Sequence, residues 1–317
     1  MDSSMTERQK ISLVVPVYRS QSSLRELYRR IVHVMDVLEY DFQLVLVEDC
    51  GGDHSWNIIQ ELANTDPRVQ GIQLARNYGQ HNALLCGINV AHGQIVITLD
   101  DDLQNPPEEI PKLLKKLDEG YDVVYGTPDA ETHGFLRDQA SRLTKIALQN
   151  AIGAETAGKV SAFRAFRGKL KSTFANYCSP SVNIDVLLTW GTTRFTSTVV
   201  QQDKRTLGTS SYTLRKLINH AINMMTGFST LPLQMASVVG FAFGMLGFLL
   251  LAYVLGRYFI DGINVPGFAF LASMIAIFSG VQLFCLGIFG EYLARMHFRA
   301  MGRPPYIVSQ DTSNRLP

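Results

Sequence analysis

The run Asp100-Asp101-Asp102-Leu103-Gln104 follows directly on an apolar segment, QIVITL at 94–99. Three successive carboxylates beside a buried strand repel one another, and partial burial magnifies the repulsion. A hard divalent cation, Mg²⁺ or Mn²⁺, relieves it. Carboxylate and amide oxygens suit such ions, which are commonly held by one or two carboxylates together with substrate phosphates. On spacing alone a second reading stays open, a solvated acidic loop capping the helix that starts near Pro106-Pro107. Two more polar clusters close apolar runs: Pro16-Val17-Tyr18, and Glu48-Asp49-Cys50-Gly51-Gly52-Asp53. No GxGxxG follows the first run and no GxxxxGK[ST] occurs, which argues against dinucleotide and P-loop chemistry.

The elements that must position these clusters alternate. ISLVVPV (11–17), FQLVLV (42–47), VQGIQL (69–74), QIVITL (94–99) and YDVVYG (121–126) are apolar throughout, and helical patterns separate them. Such strands predict a parallel sheet covered on both faces. Ligands of such sheets bind beyond the carboxyl ends of the strands, where the acidic clusters stand.

Composition limits the alternatives. Lys and Arg number 29 against 28 Asp and Glu, a formal charge of +1, and only 18% of residues are charged, so no nucleic-acid partner is expected. A hydrophobic content of 46% excludes intrinsic disorder. The four cysteines lie far apart without a CxxC pair, which gives no zinc spacing. The N-terminus lacks an apolar signal core, so the bulk of the chain is expected in the cytoplasm.

The C-terminal third differs. No Asp, Glu, Lys or Arg occurs from Leu217 to Gly256, nor from Gly262 to Gly290, and each run is long enough to cross a bilayer. Arg215 and Lys216 precede the first run, and Arg295, Arg299 and Arg303 follow the second. The positive-inside rule then predicts a helical hairpin with both ends in the cytoplasm. Before it, Leu214, Leu217, Ile218, Ala221, Ile222, Met225 and Phe228 mark an amphipathic helix with a basic shoulder. The predicted organisation is a catalytic domain at 1–210, an amphipathic juxtamembrane helix at 211–230, a transmembrane hairpin at 231–294 and a cytoplasmic tail at 295–317.

Beyond these patterns, PVY at 16–18, VED-GG-D at 47–53, LARNYGQHNAL at 74–84, LDDDLQNPPE at 99–108, RTLGTSSY at 205–212 and FSGVQLFCLGIFGEYLAR at 278–295 resemble glycosyltransferase family 2. Within it they resemble the polyprenyl-phosphate glycosyltransferases: the GtrB-like bactoprenol glucosyltransferases, the ArnC group and the dolichyl-phosphate mannose synthases. The resemblance implies an α/β GT-A fold, a mixed sheet flanked by helices, followed by the membrane hairpin. It implies a nucleotide sugar donor, UDP-glucose foremost, a polyprenyl phosphate acceptor, inversion at C1, a bacterial inner-membrane location and a homo-oligomer.

Carried over position by position, the resemblance places Pro16, Tyr18 and Asp49 around the nucleotide, and Asp100 and Asp101 near the ribose and diphosphate. Asp102 and Gln104 hold the metal, with Asp100 beside them. Arg137 and Arg142, in a segment expected to close over the sugar, become ligands of the acceptor phosphate. Arg205 and Ser210 form a second anion-binding segment. Asp185, in SVNIDVLLTW, is the candidate base, although an acid at a helix start is also a routine dipole partner. Two departures stand out: Arg19-Ser20 replaces the Asn-Glu that many relatives place after PVY, and Ala162 stands before Phe163 where relatives often carry an Asp. The acceptor makes the second departure tolerable, since a phosphate monoester is largely a dianion at about pH 7 and attacks without a general base. A processive polysaccharide synthase and a catalytically silent membrane scaffold are the rival readings.

Overall fold

The apolar runs become strands that are buried on both sides, because helices cover each face of the sheet. A computed structural model describes residues 9–128, 160–179, 182–203, 231–261 and 267–313. Its strands are β1 (Lys10–Val17), β2 (Asp41–Glu48), β3 (Val69–Leu74), β4 (Ile95–Thr98), β5 (Val123–Pro128), β6 (Arg164–Arg167), β7 (Phe195–Val200) and β8 (Val308–Asp311). They form one eight-stranded sheet in the order β7-β5-β6-β4-β1-β2-β3-β8. β1 runs parallel to β2 and β4, β2 to β3, and β5 to β7. β6 is antiparallel to β4 and β5, and β8 to β3. The sheet is therefore mixed, and β1 to β5 and β7 all end on one edge.

The helices are α1 (Leu24–Val37), α2 (Ser55–Thr65), α3 (Gln80–Val90), α4 (Ile110–Asp118) and α5 (Ile184–Thr189). The alternation of side chains along each strand assigns its residues to one face or the other. Ile11, Leu13, Val15, Leu44, Leu46 and Ile97 share one core with Leu27, Ile31, Leu113 and Leu117 of α1 and α4. On the opposite face α3 rests almost directly on the sheet. At Gly87 a Cβ would stand 2.4 Å from Val14 Cγ1 and 3.1 Å from Val47 Cγ2. A mid-helix glycine costs about 1 kcal/mol in propensity, and here the close approach requires it. That approach fixes where the N-terminus of α3 points.

Three strands carry no clear sequence signal. β6 is the four-residue RAFR, β7 is rich in Ser and Thr, and β8 follows the long apolar segment near the C-terminus. β8 lies within the segment expected as a cytoplasmic tail at 295–317. The last helix continues through Ala300, so the expected boundary at 294/295 falls inside it, and the chain then joins the edge of the sheet. Trp56 Nε1 donates to Gln310 Oε1 at 3.2 Å, the Gly71 N–H to Thr312 Oγ1 at 2.9 Å, and Asn89 Nδ2 to the Tyr306 hydroxyl at 3.0 Å. An uncharged apolar run marks where lipid is tolerated, and helical geometry continues past it wherever residues such as Arg, Met and Ala favour it.

A second unit comprises α6 (Leu231–Asp261) and α7 (Phe268–Ala300). Its apolar stretches Pro232–Arg257 and Ile277–Ala300 have mean hydropathies of 2.4 and 1.5. At about 1.5 Å per residue each exceeds a hydrocarbon core of ~30 Å. Phe241 is 70% and Ile260 82% exposed, the reverse of a soluble core helix, and the two helices are long and apolar enough to cross a membrane. Phe243 meets Phe278 edge-to-face at 6.0 Å within the pair. The expected amphipathic helix at 211–230 lies outside the described residues.

Replacing Gly87 by Ala tests the close packing of α3. Helix propensity alone favours the change, yet the extra methyl is expected to lower stability by about 1 to 3 kcal/mol, read as a fall in the thermal unfolding midpoint. Adding Val14→Ala makes room and is expected to recover part of the loss.

Candidate active site

The edge where the parallel strands end gathers the acidic clusters, and neutral donors hold most of them. Asp49, the first residue after β2, is 3% exposed. Its oxygens accept the backbone N–H groups of Tyr78 and Gly79, each at 2.7 Å, and its own N–H donates to Val17 O at 2.9 Å. Gly79 has φ +93°, the left-handed turn that aims both N–H groups at one carboxylate before α3 begins. Burial pushes the Asp49 carboxyl above its ordinary value, against the pull of these two hydrogen bonds. The expected nucleotide-lining acid is thus a buried brace for the loop entering α3.

Asp101 braces the neighbouring strand tips. Its Oδ2 accepts the Tyr18 N–H at 2.9 Å and the Ser20 hydroxyl. Burial raises its pKa, with the Ser20 and Tyr18 hydrogen bonds opposing. Ser20 is the hub of this corner: its N–H donates to Ser55 Oγ at 3.0 Å, and Ser55 Oγ donates to Asp53 Oδ2 at 2.9 Å. Tyr18 is left 45% exposed at the rim, and Pro16 is buried within β1.

The remaining acids form the turn itself. Asp100 Oδ1 accepts from Gln80 Nε2 at 2.6 Å, so the first residue of α3 reaches the turn. Asp102 Oδ1 accepts the Gln104 N–H at 3.1 Å, and the Gln104 carbonyl accepts the Asp203 N–H at 3.0 Å from the chain leaving β7. Leu103 between them has φ +61°. Asp100, Asp102 and Gln104 are partly exposed on one five-residue turn. Their oxygens form a hard donor set suited to Mg²⁺ or Mn²⁺. Among the described residues no three His, Cys, Asp or Glu side chains converge as a closed metal cage, so a cation here would take its remaining ligands from substrate phosphate or water.

The family model for "Glycosyl transferase family 2" matches residues 12–174, which include most of β1, all of β2 to β6, and Asp49, Asp100, Asp101 and Asp102. The chain belongs to glycosyl transferase family 2. Among curated proteins it is similar to the undecaprenyl-phosphate 4-deoxy-4-formamido-L-arabinose transferase of Proteus mirabilis, 34% identical over 97% of this chain and 95% of that one. The Yersinia pestis protein of the same name is 35% identical over 95% and 93%. Among solved structures, Mycobacterium tuberculosis glucosyl-3-phosphoglycerate synthase with Mn²⁺ and UDP-glucose covers 69% of this chain and 77% of that one at 18% identity, with a TM-score of 0.49. Staphylococcus aureus TarS with UDP-GlcNAc covers 70% and 74% at 17% identity, with a TM-score of 0.43.

In this glycosyltransferase the candidate base is built into a wall. Asp185, in the first turn of α5, is 5% exposed. Its Oδ1 accepts from the Tyr125 hydroxyl at 3.0 Å and from Arg164 Nη1, with which it forms an ion pair. Arg164 is 1% exposed, and its Nε donates to Thr98 Oγ1 at 3.0 Å, two residues before Asp100. Registers β4/β6 and β5/β6 pair Arg164 with Thr98 and Tyr125, so all three side chains share one face beneath the acidic turn. Burial and the adjacent carboxylate hold the Tyr125 phenol well above its usual range, so it stays a donor. Arg137, Arg142, Arg205 and Ser210 lie outside the described residues. Sequence reasoning missed Ser20, Gln80 and Arg164; only the polar residues opening α3, and an Arg inside an otherwise apolar FRAF run, hinted at the last two.

Asp185→Asn separates a base from a wall residue. The substitution leaves Arg164 buried without its counter-charge, and we expect a loss of about 3 kcal/mol or more in urea or thermal unfolding. Unchanged stability together with abolished sugar transfer would instead mark a general base.

Proposed function

We propose that this glycosyltransferase moves a sugar from a nucleotide diphosphate to the phosphate of a polyprenyl lipid at a membrane surface, inverting C1. The observation that carries the reading is the extent of the likeness to the undecaprenyl-phosphate sugar transferases: 97% of the chain, including both the acidic edge and the two membrane-length apolar helices. A soluble acceptor would leave those helices without a purpose in the reaction. The names of these relatives favour 4-deoxy-4-formamido-L-arabinose as the sugar. Glucose from UDP-glucose is the competing donor, carried by the likeness of the C-terminal helix to the bactoprenol glucosyltransferases.

The chemistry asked of the chain is mostly the handling of charge. Asp100, Asp102 and Gln104 would hold Mg²⁺ or Mn²⁺, which when bound offsets the negative charge of the diphosphate leaving group. Asp49 and Asp101 keep the tips of β1, β2 and β4 in register, so that the donor meets a preformed edge. The Gln80–Asp100 hydrogen bond ties that edge to α3. The acceptor phosphate, largely a dianion at about pH 7, supplies its own nucleophilic oxygen. No side chain needs to take a proton from it, which agrees with an Asp185 already committed to Arg164. Arg137, Arg142 and Arg205 are retained as candidate acceptor ligands, because forked guanidinium donors match phosphate.

The test incubates membranes containing the enzyme with polyprenyl phosphate, Mg²⁺ and labelled donor, either UDP-glucose or a nucleotide-linked 4-deoxy-4-formamido-L-arabinose. Lipid-extractable label from one donor is expected. Asp102→Ala or chelation is expected to lower the rate by about a hundredfold or more. Polymeric label would point to a processive synthase. No transfer from any donor, or transfer indifferent to chelation, would overturn the reading.

A further inference from the structure

The tip of β1 carries a charge that the reaction outlined above leaves unused. Arg19 follows Tyr18 and has φ +57°, a left-handed conformation uncommon for a residue with a side chain. Its Nε donates to Gly51 O at 3.0 Å across the tips of β1 and β2. Its guanidinium carbon lies 5.3 Å from the centroid of the Tyr18 ring. Gly51 is shaped to it: a Cβ there would stand 2.8 Å from Arg19 N and 3.2 Å from Arg19 Cγ. The arginine is therefore fixed at both backbone and head. Glu48, which also faces Gly51, is turned to the Gly51 N–H at 2.5 Å and Gln73 Nε2 at 3.1 Å. Among the described residues no carboxylate lies within ion-pair distance of Arg19, and both terminal nitrogens keep their donors.

A placed guanidinium beside a half-exposed tyrosine is a shelf for a flat ring with acceptor atoms on its edge. We propose that Arg19 reads the nucleobase of the donor and selects keto bases, uracil or guanine, over amino bases, cytosine or adenine. The reason is chemical. Arginine only donates hydrogen bonds, so the carbonyl oxygen at C4 of uracil or C6 of guanine is matched, whereas the amino group at that position of cytosine or adenine sets donor against donor. Gly51 O already fixes the fork, so little side-chain freedom is lost on binding. This inference rests on the nucleotide-sugar reading and adds the specificity of that same site.

Binding of UDP, GDP, CDP, ADP and uridine to the full-length enzyme in detergent or nanodiscs, by calorimetry, provides the test. The wild type is expected to bind the better of UDP and GDP about tenfold or more tightly than CDP and ADP. In Arg19→Ala that ratio is expected to collapse, with the loss falling on the keto-base nucleotide. Arg19→Lys keeps the charge and stem but not the fork; it is expected to restore thermal stability if Arg19→Ala has lost it, while the ratio stays collapsed. An equal loss for all four diphosphates with uridine unaffected would mean that Arg19 senses phosphate charge, and the inference fails. Discrimination that survives both substitutions, or is absent from the wild type, also overturns it. A wild type that binds no nucleoside diphosphate at all would sink the proposed function itself.

Discussion

Four carboxylates crowded on one edge of a sheet are the constraint around which this molecule is arranged. Asp49, Asp100, Asp101 and Asp102 all follow strands that end together. Asp49 and Asp101 are held by neutral donors: backbone N–H groups of Tyr78, Gly79 and Tyr18, and the Ser20 hydroxyl. Neutral donors orient an anion without cancelling its charge. The edge therefore keeps a negative field that a divalent cation can answer, whereas pairing each acid with a lysine would have left a structurally sound but electrostatically silent surface. The raised pKa directions of Asp49 and Asp101, both driven by burial, express the cost of that arrangement.

Backbone strain marks the same edge. Arg19, Cys50 and Leu103 adopt left-handed φ values of 57°, 53° and 61° at the tips of β1, β2 and β4. Each costs on the order of 1 kcal/mol, and they persist because the surrounding hydrogen bonds over-determine the loops. Ser20 shows how. It ties β1 to β4 through Asp101 and to the start of α2 through Ser55.

Much of this was legible in the sequence for a physical reason. β1 to β5 are apolar because they are buried on both faces, and the acids stand out because nothing else polar interrupts those runs. β6, β7 and β8 were not legible. RAFR is too short and too charged to read as a strand, and β8 finds its partner β3 only by returning from beyond the two long apolar helices, a pairing that no local pattern encodes. Asp185 shows the same limit. Its position at a helix start suits a base or a dipole partner equally well, and only the register that sets Arg164 against Thr98 and Tyr125 shows that it faces inward.

The two lessons join in the chemistry. A transferase acting on a hydroxyl needs a carboxylate free to take a proton, and here Asp49, Asp101 and Asp185 each accept hydrogen bonds within the fold. Asp100 and Asp102 lie on the acidic turn, whose hard oxygens suit a divalent cation. An acceptor that arrives already ionised removes the need for a base and replaces it with another, because two anionic substrates must be brought together against their repulsion. On this chain the partly exposed oxygens of Asp100, Asp102 and Gln104 are the donor set that a divalent cation would use to offset such repulsion.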